Sequence, residues 1–422
     1  MMQVPAVLRS SAVCLGTLQA NTNLQTLTRK DICASFEKPI WAVGQKKPLI
    51  GSMVSGNSVC IVVSDHTRKT ASHLILPPLL EKIYSAGISE RDVFFLIASG
   101  VHRHPDDKET ALILGQDIVV RFGNRIFRHD PDDKANLTCV GKTKRGHDVY
   151  INRRAVEADH LILLGTVTYH YHAGFGGGRK SLVPGLADRD TIAHNHSLSI
   201  DPHADRIHPA ATLGRLDGNP VSEEMLECAY MHEPDFIVNT VLAPDGNLVG
   251  VFFGELNAAH REACKMAAQV ERCDIREQAD IVLASAASAG DWVQSHKALY
   301  NAHRAVKNSG RILLYAPCRE GIGSERLRYW VKQKTLDQIY RELRQSFEIL
   351  GQTALSTKIR GAQTIIVTEM KEQDKKDLGL QTAPDMETAA DMALAEISLN
   401  NCVKPTYYVI PQAQYVVPFI SR

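Results

Sequence analysis

Short, unbroken apolar runs recur along this chain, and between them apolar residues return at every third or fourth position. "CIVV" (60–63), "VFFLIAS" (93–99) and "HLILLG" (160–165) lie in its first half. "DIVLAS" (280–285), "RILLYA" (311–316), "TIIVTE" (364–369) and "YYVI" (407–410) follow in its second. Each run is too short for a typical helix. Continuous β-branched runs suit parallel strands covered on both faces. The spacing between them predicts helices over 73–87, 257–272 and 298–310, the first and last stopped by Gly87 and Gly310. Strands alternating with helices predict an α/β architecture.

One stretch breaks the alternation. "DFIVNTVLAPDGNLVGVFFGE" (235–255) holds two apolar runs around a "PDGN" turn, the pattern of a β-hairpin. After the next helix, at "CDIREQAD", a fresh strand–helix pattern begins. The expected organisation is therefore two α/β domains with mainly parallel sheets, 1–272 and 273–422. No fixed-period repeat, heptad run or low-complexity segment is seen. "MMQVPAVLRSSAVCLGTLQ" at the start is broken by Arg9 and by polar residues. It reads as a strand or loose start, not a signal peptide.

Composition narrows the function classes. The 422 residues are 44% hydrophobic and 23% charged, as in an ordinary globular protein. The net charge of +1 provides no global field toward nucleic acid or an anionic membrane. No apolar run approaches the ~20 residues of a membrane helix. The nine cysteines are scattered and never form C-x-x-C, which argues against a disulfide framework and against a zinc–thiolate site. A reducing, cytoplasmic setting is expected.

Four segments carry candidate chemistry. "SDHTRK" (64–69) and "ASGVHRH" (98–104) each follow a predicted strand, where open α/β sheets bind ligands. They bring Asp65, Arg68 and His102. The third segment, Gly165 to Ser197, is the densest: "GTVTYHYHAGFGGGRKSLVPGLADRDTIAHNHS". If 168–172 is extended, His170 and His172 share a face, a frequent metal-ligand spacing that "HNH" (194–196) repeats. The glycines of "GFGGGRK" allow a close backbone approach and aim N–H groups at an anion. The loop is neither a P-loop, because Arg179 stands where that motif needs glycine, nor a G-x-G-x-x-G fingerprint. In the fourth, "GDWVQSHKALYNAHRAV", Gln294 and Lys297 are three apart on one helix face.

Together these segments resemble the nickel-dependent lactate racemase family, over most of the chain. Such resemblance implies a nickel-pincer nucleotide, pyridinium-3-thioamide-5-thiocarboxylic acid mononucleotide, held in the crevice between the two domains. Lys180 would tether it through a thioamide, Gly176, Gly177 and Gly178 would fold around it, and His196 would be the nickel ligand. His102 and His170 match the family's catalytic histidines and Asp65 its motif aspartate. Arg68, Lys297 and Gln294 look like its substrate-binding residues, while His172 has no matched role. The implied reaction inverts C2 of a 2-hydroxy acid by moving hydride to the cofactor and back, through a 2-keto acid. Cofactor-biosynthesis proteins would be transient partners.

Two departures bear on the substrate. The stretch before Gln294 reads "AGDWV", where lactate racemases carry asparagine and tyrosine, and Gln352 stands in place of a bulky aromatic. Both favour a substrate larger or more polar than lactate. Two other readings use the same residues. A metal-dependent hydrolase would add Asp188 and Asp190 to the His-x-His pairs. A nickel or nucleotide carrier would need the loop but not His102 or Lys297.

Overall fold

In the computed structural model, which describes residues 2–42, 53–287, 289–398 and 404–421, two six-stranded sheets organise the chain. Their strands, in chain order, are β1 (Val13–Thr17), β2 (Val59–Ser64), β3 (Val93–Ala98), β4 (Ile126–Arg128), β5 (His160–Thr166) and β6 (Phe236–Leu242). Then come β7 (Leu248–Gly254), β8 (Ala279–Ser285), β9 (Val306–Tyr315), β10 (Thr364–Val367), β11 (Gln381–Ala383) and β12 (Thr406–Ile410). The principal helices used below are α1 (Ser72–Ser85), α2 (Arg189–Ser197), α3 (Leu256–Glu271), α4 (Trp292–Ala302) and α5 (Ile349–Gly361).

The first sheet has the order β7-β6-β5-β2-β3-β4 and is parallel except for the β6–β7 hairpin. Val59, Ile61 and Val63 of β2 join Val93, Phe95 and Ile97 of β3 in a core covered by Ile75, Leu79 and Ile83 of α1. On the opposite face Cys60, Val62 and Leu96 are buried as well, so these strands are covered on both sides, as continuous apolar runs require. The second sheet has the order β1-β12-β8-β9-β10-β11 and is parallel throughout. Ile281, Leu283, Leu313, Ile365 and Val409 anchor its core. The α/β class with mainly parallel sheets is thus observed.

Two expectations need correction. The chain divides into one unit of residues 22–202 with 207–270, and another of 1–21, 203–206 and 271–422. Residues 1–21 therefore do not belong with the N-terminal domain: β1 pairs in parallel with β12, Val13 opposite Thr406. The helix expected over 298–310 ends at Ala302, and Val306 opens β9. Gly310 is a strand glycine, not a helix stop. A Cβ there would lie 2.6 Å from the Asp280 carbonyl oxygen. Glycine permits that close approach beside the irregular β8–β9 register at Ala279 and Ile281.

Candidate active site

The loop after β2 supplies a buried carboxylate. Asp65 Oδ1 accepts from the Thr67 backbone N–H at 3.1 Å and from its hydroxyl at 2.6 Å. The β3 loop delivers His102, whose Nδ1 lies 2.7 Å from Asp65 Oδ2. An ionised carboxylate only accepts, so Nδ1 donates and Nε2 carries the lone pair in the neutral ring. Burial works to raise the Asp65 pKa, but hydrogen bonding and charge from His102, with Thr67 and Arg68 assisting, hold it below the usual carboxylate value. His102 keeps 42% of its side chain exposed, and Arg68 is exposed beside it. The carboxylate thus fixes the orientation of the imidazole, and much of the ring stays open to solvent.

His170 is prepared the opposite way. Tyr169–His170 forms a two-residue antiparallel bridge with Gly174–Phe175, and the chain turns between them. The turn aims the His172 and Ala173 backbone N–H groups at His170 Nδ1, at 3.3 and 3.2 Å. That nitrogen therefore accepts, and the neutral ring carries its proton on Nε2. Nε2 lies 3.3 Å from Lys180 Nζ. Burial, then the charges of Lys180, His172, Arg68 and His196, push His170 well below its ordinary value. Burial, then Arg68 and Arg179, push the Lys180 ammonium down to about 7. His170 and His172 do not share a strand face as expected, because residues 171–173 turn.

The glycine loop is built against the protein itself. Gly176 N–H donates to Thr168 O and Gly178 N–H to Asn239 Oδ1, both at 2.8 Å. A Cβ on Gly177 would sit 2.6 Å from Val167 Cγ2, and one on Gly178 would sit 2.8 Å from His260 Cδ2. These glycines thus let the loop lie on β5, β6 and α3, and two of their N–H groups are already committed. Beneath the loop, buried Arg179 donates to Ser222 Oγ and to His260 Nδ1, each at 2.9 Å, and His260 Nε2–H donates to Gly176 O at 2.8 Å. Positive charge near Lys180 comes from Arg68 and Arg179.

Helix α2 carries His196. Asp188 caps it by accepting from Thr191 N–H at 3.0 Å, and His196 Nδ1–H donates to Ile192 O one turn back, also at 3.0 Å. The Nε2 lone pair then faces away from the helix backbone, the usual preparation of a metal-binding imidazole. Burial, then Lys180 and in smaller part His102, push His196 down to about 3, although its bond to Ile192 works the other way. The "HNH" pair is split by the helix. His194 stacks on His147 at 4.2 Å between centroids and points Nε2 at buried Glu224, 3.4 Å away. Asp190 is exposed at the start of α2. Among the described residues no group of three His, Cys, Asp or Glu side chains converges as a metal site would.

The structure thus brings Asp65, Arg68, His102, His170, Lys180 and His196 into one unit, where each senses the charge of others. Gln294 and Lys297 stand on α4 of the other unit, Gln294 exposed and its N–H held by Asp291 Oδ1 at 2.8 Å. Sequence reading missed Thr67, Asn239 and His260. Asn239 had a signal, a lone amide within the buried run "FIVNTVL". His260 had none, since a histidine on an amphipathic helix reads as core.

The chain as a whole resembles known proteins in sequence and in fold. The lactate racemase N-terminal domain model matches residues 8–207. A lactate racemase of Thermoanaerobacterium thermosaccharolyticum is 29% identical over 98% of this chain and 94% of its own length. One from Lactiplantibacillus plantarum is 33% identical over 64% of this chain and 62% of its own. The solved lactate racemase apoprotein from T. thermosaccharolyticum superposes with a TM-score of 0.83 at 28% identity, covering 96% of this chain and 95% of that one. A Thermotoga maritima protein shares the fold at a TM-score of 0.66 and 17% identity, covering 93% of this chain and 98% of that one. Along nearly its whole length the chain is thus similar to lactate racemases in sequence and in fold, and that similarity supports an isomerase.

Proposed function

We propose that this chain inverts the hydroxyl-bearing C2 of a 2-hydroxy carboxylic acid while holding a nickel-pincer nucleotide on Lys180. The observation that carries the reading is the pair of oppositely prepared histidines, His102 with its lone pair on Nε2 and His170 with its proton there. Inversion needs proton-transferring groups of this kind. The residues also fit the cofactor. Lys180 is an amine that is neutral at an accessible pH, His196 offers an Nε2 lone pair, and Arg68 and Arg179 lie close enough to balance an anionic group. A nickel ion there would take its remaining donors from the nucleotide. Gly176, Gly177 and Gly178 serve it by holding the loop on which Lys180 stands.

When bound, the group supplies a hydride acceptor that returns the hydride, so that C2 passes through a 2-keto acid. His102, oriented by Asp65, takes the substrate hydroxyl proton at Nε2. His170 holds a proton at its own Nε2. Arg68 presents a planar fork to the substrate carboxylate. Lys297 and Gln294 keep the substrate-binding roles that the family resemblance gives them.

The substrate is proposed to be larger or more polar than lactate. Support comes from Gln352, which brings an amide to a buried position of α5, and from the altered stretch before Gln294. The test is the full chain made with and without cofactor-synthesis proteins, as wild type and Lys180→Ala. Intact mass should reveal an adduct only on the wild type made with them. That sample should invert a diacid, sugar acid or aryl hydroxy acid faster than lactate. Lactate turned over fastest would overturn the substrate reading. An adduct-free wild type would overturn the tether.

A further inference from the structure

We infer that His170 has an earlier task than catalysis: its Nε2–H holds the Lys180 amine as a hydrogen-bond acceptor, and acylation of that amine releases the ring. This rests on the reading of Lys180 as the attachment point.

The argument begins with the backbone. The turn after His170 commits Nδ1 as an acceptor of the His172 and Ala173 N–H groups, at 3.3 and 3.2 Å. A neutral ring so held has its only N–H at Nε2. That N–H faces Lys180 Nζ at 3.3 Å. An ammonium has three donors and no lone pair, so it would meet this N–H donor to donor. A neutral amine has the lone pair that the geometry asks for. The surrounding charges agree: Arg68 and Arg179 face Lys180, and Lys180, His172, Arg68 and His196 face His170, all disfavouring added positive charge. The loop cannot relax away easily, because Gly178 rests on His260 and buried Arg179 is bonded beneath it.

Attachment then changes the contact. The Nζ lone pair attacks an acyl or thioacyl carbon of the incoming ligand, and a C–N bond forms. The hydroxyl of that group leaves as water with one amine proton, and nitrogen keeps the other; nothing is oxidised or reduced. The resulting amide-type nitrogen has a delocalised lone pair and no longer accepts. His170 Nε2–H loses this partner and is left for the substrate. Loading of the site thereby releases one of its proton carriers.

The test uses the full chain made without cofactor-synthesis proteins. Brief treatment with acetic anhydride at pH 7, followed by peptide mass mapping, compares Lys180 with exposed lysines of the same molecules. Wild-type Lys180 should react at least about tenfold faster, since exposed lysines are almost wholly protonated there. His170→Phe, which has no donor, should lose that advantage. His170→Gln, which keeps an N–H, should recover part of it. Far-ultraviolet circular dichroism and the labelling of the other lysines report whether each variant is folded. A folded His170→Phe chain with undiminished Lys180 reactivity would overturn the inference, as would an unreactive Lys180 in the wild type. In a host that makes the cofactor, a wild-type adduct with a several-fold smaller yield in folded His170→Phe would support it, and equal yields would overturn it. Failure of any adduct to form on the wild type there would instead strike the tether reading, which the acetic anhydride comparison does not depend on.

Discussion

At the scale of single residues, backbone and carboxylate partners decide which nitrogen of each imidazole works. Asp65 is the partner whose replacement is most informative. In Asp65→Asn the amide can present an N–H to His102 Nδ1, which forces that nitrogen to accept and moves the proton to Nε2. His102 would then enter the reaction without its lone pair. The expected result is a fall in kcat of about a hundredfold or more with little change in KM, read on whichever 2-hydroxy acid the loaded chain inverts. The Thr67 bonds to Asp65 should keep the loop in place, so the thermal midpoint should move little.

At the scale of elements, the glycine loop is a packing device. Gly178 has φ +55°, and a Cβ there would press on His260 at 2.8 Å. Gly87, past the end of α1, has φ +96° but nothing within 4 Å. Gly178→Ala should therefore cost backbone strain plus a clash, about 2–4 kcal/mol, and lower the cofactor adduct. Gly87→Ala should cost about 1 kcal/mol from strain alone. Paired urea denaturation curves check the ranking. Much of this scale was legible in the sequence. β2, β3, β5 and the β6–β7 hairpin follow from apolar runs and one turn motif, because local pattern dictates them. The extended segment at 168–172 and the "HNH" pair were misread, because two-residue spacing means one face only in a strand. Residues 171–173 turn, and 194–196 are helical. The neighbours that settle such cases, Asn239 and His260, are distant in sequence and carry no spacing signal. His102 and Asp65 meet across 37 positions, yet each sits where a strand ends, which is why they could be singled out.

At the scale of the whole molecule, buried neutral histidines make acid the weak side of the fold. Burial pushes His129 and His303 down to about 4, and His196 and His296 to about 3. Unfolded, each binds a proton near its ordinary value of 6.5. Between about 6.5 and 4 the unfolded chain therefore holds more protons than the folded one, so stability rises with pH and is lost on acidification. His129 alone should lose about 2 kcal/mol of stabilisation between pH 7 and pH 5. Urea midpoints at both values should fall by less in His129→Gln than in the wild type. Equal falls would place the acid sensitivity elsewhere.

The pairing of β1 with β12 has a consequence for how the chain is made. Val13 and Thr406 are neighbours in one sheet, though nearly the whole chain separates them. A ribosome adding about 5–20 residues per second needs roughly 20 to 80 seconds to make the partner of β1. Meanwhile residues 22–270 already contain nearly every contact of their own unit and can fold as they emerge. β1 must thus wait, unpaired, until β12 has been made. During that wait its backbone N–H and C=O groups are unpaired and open to other chains, which makes it a segment that a chaperone would cover.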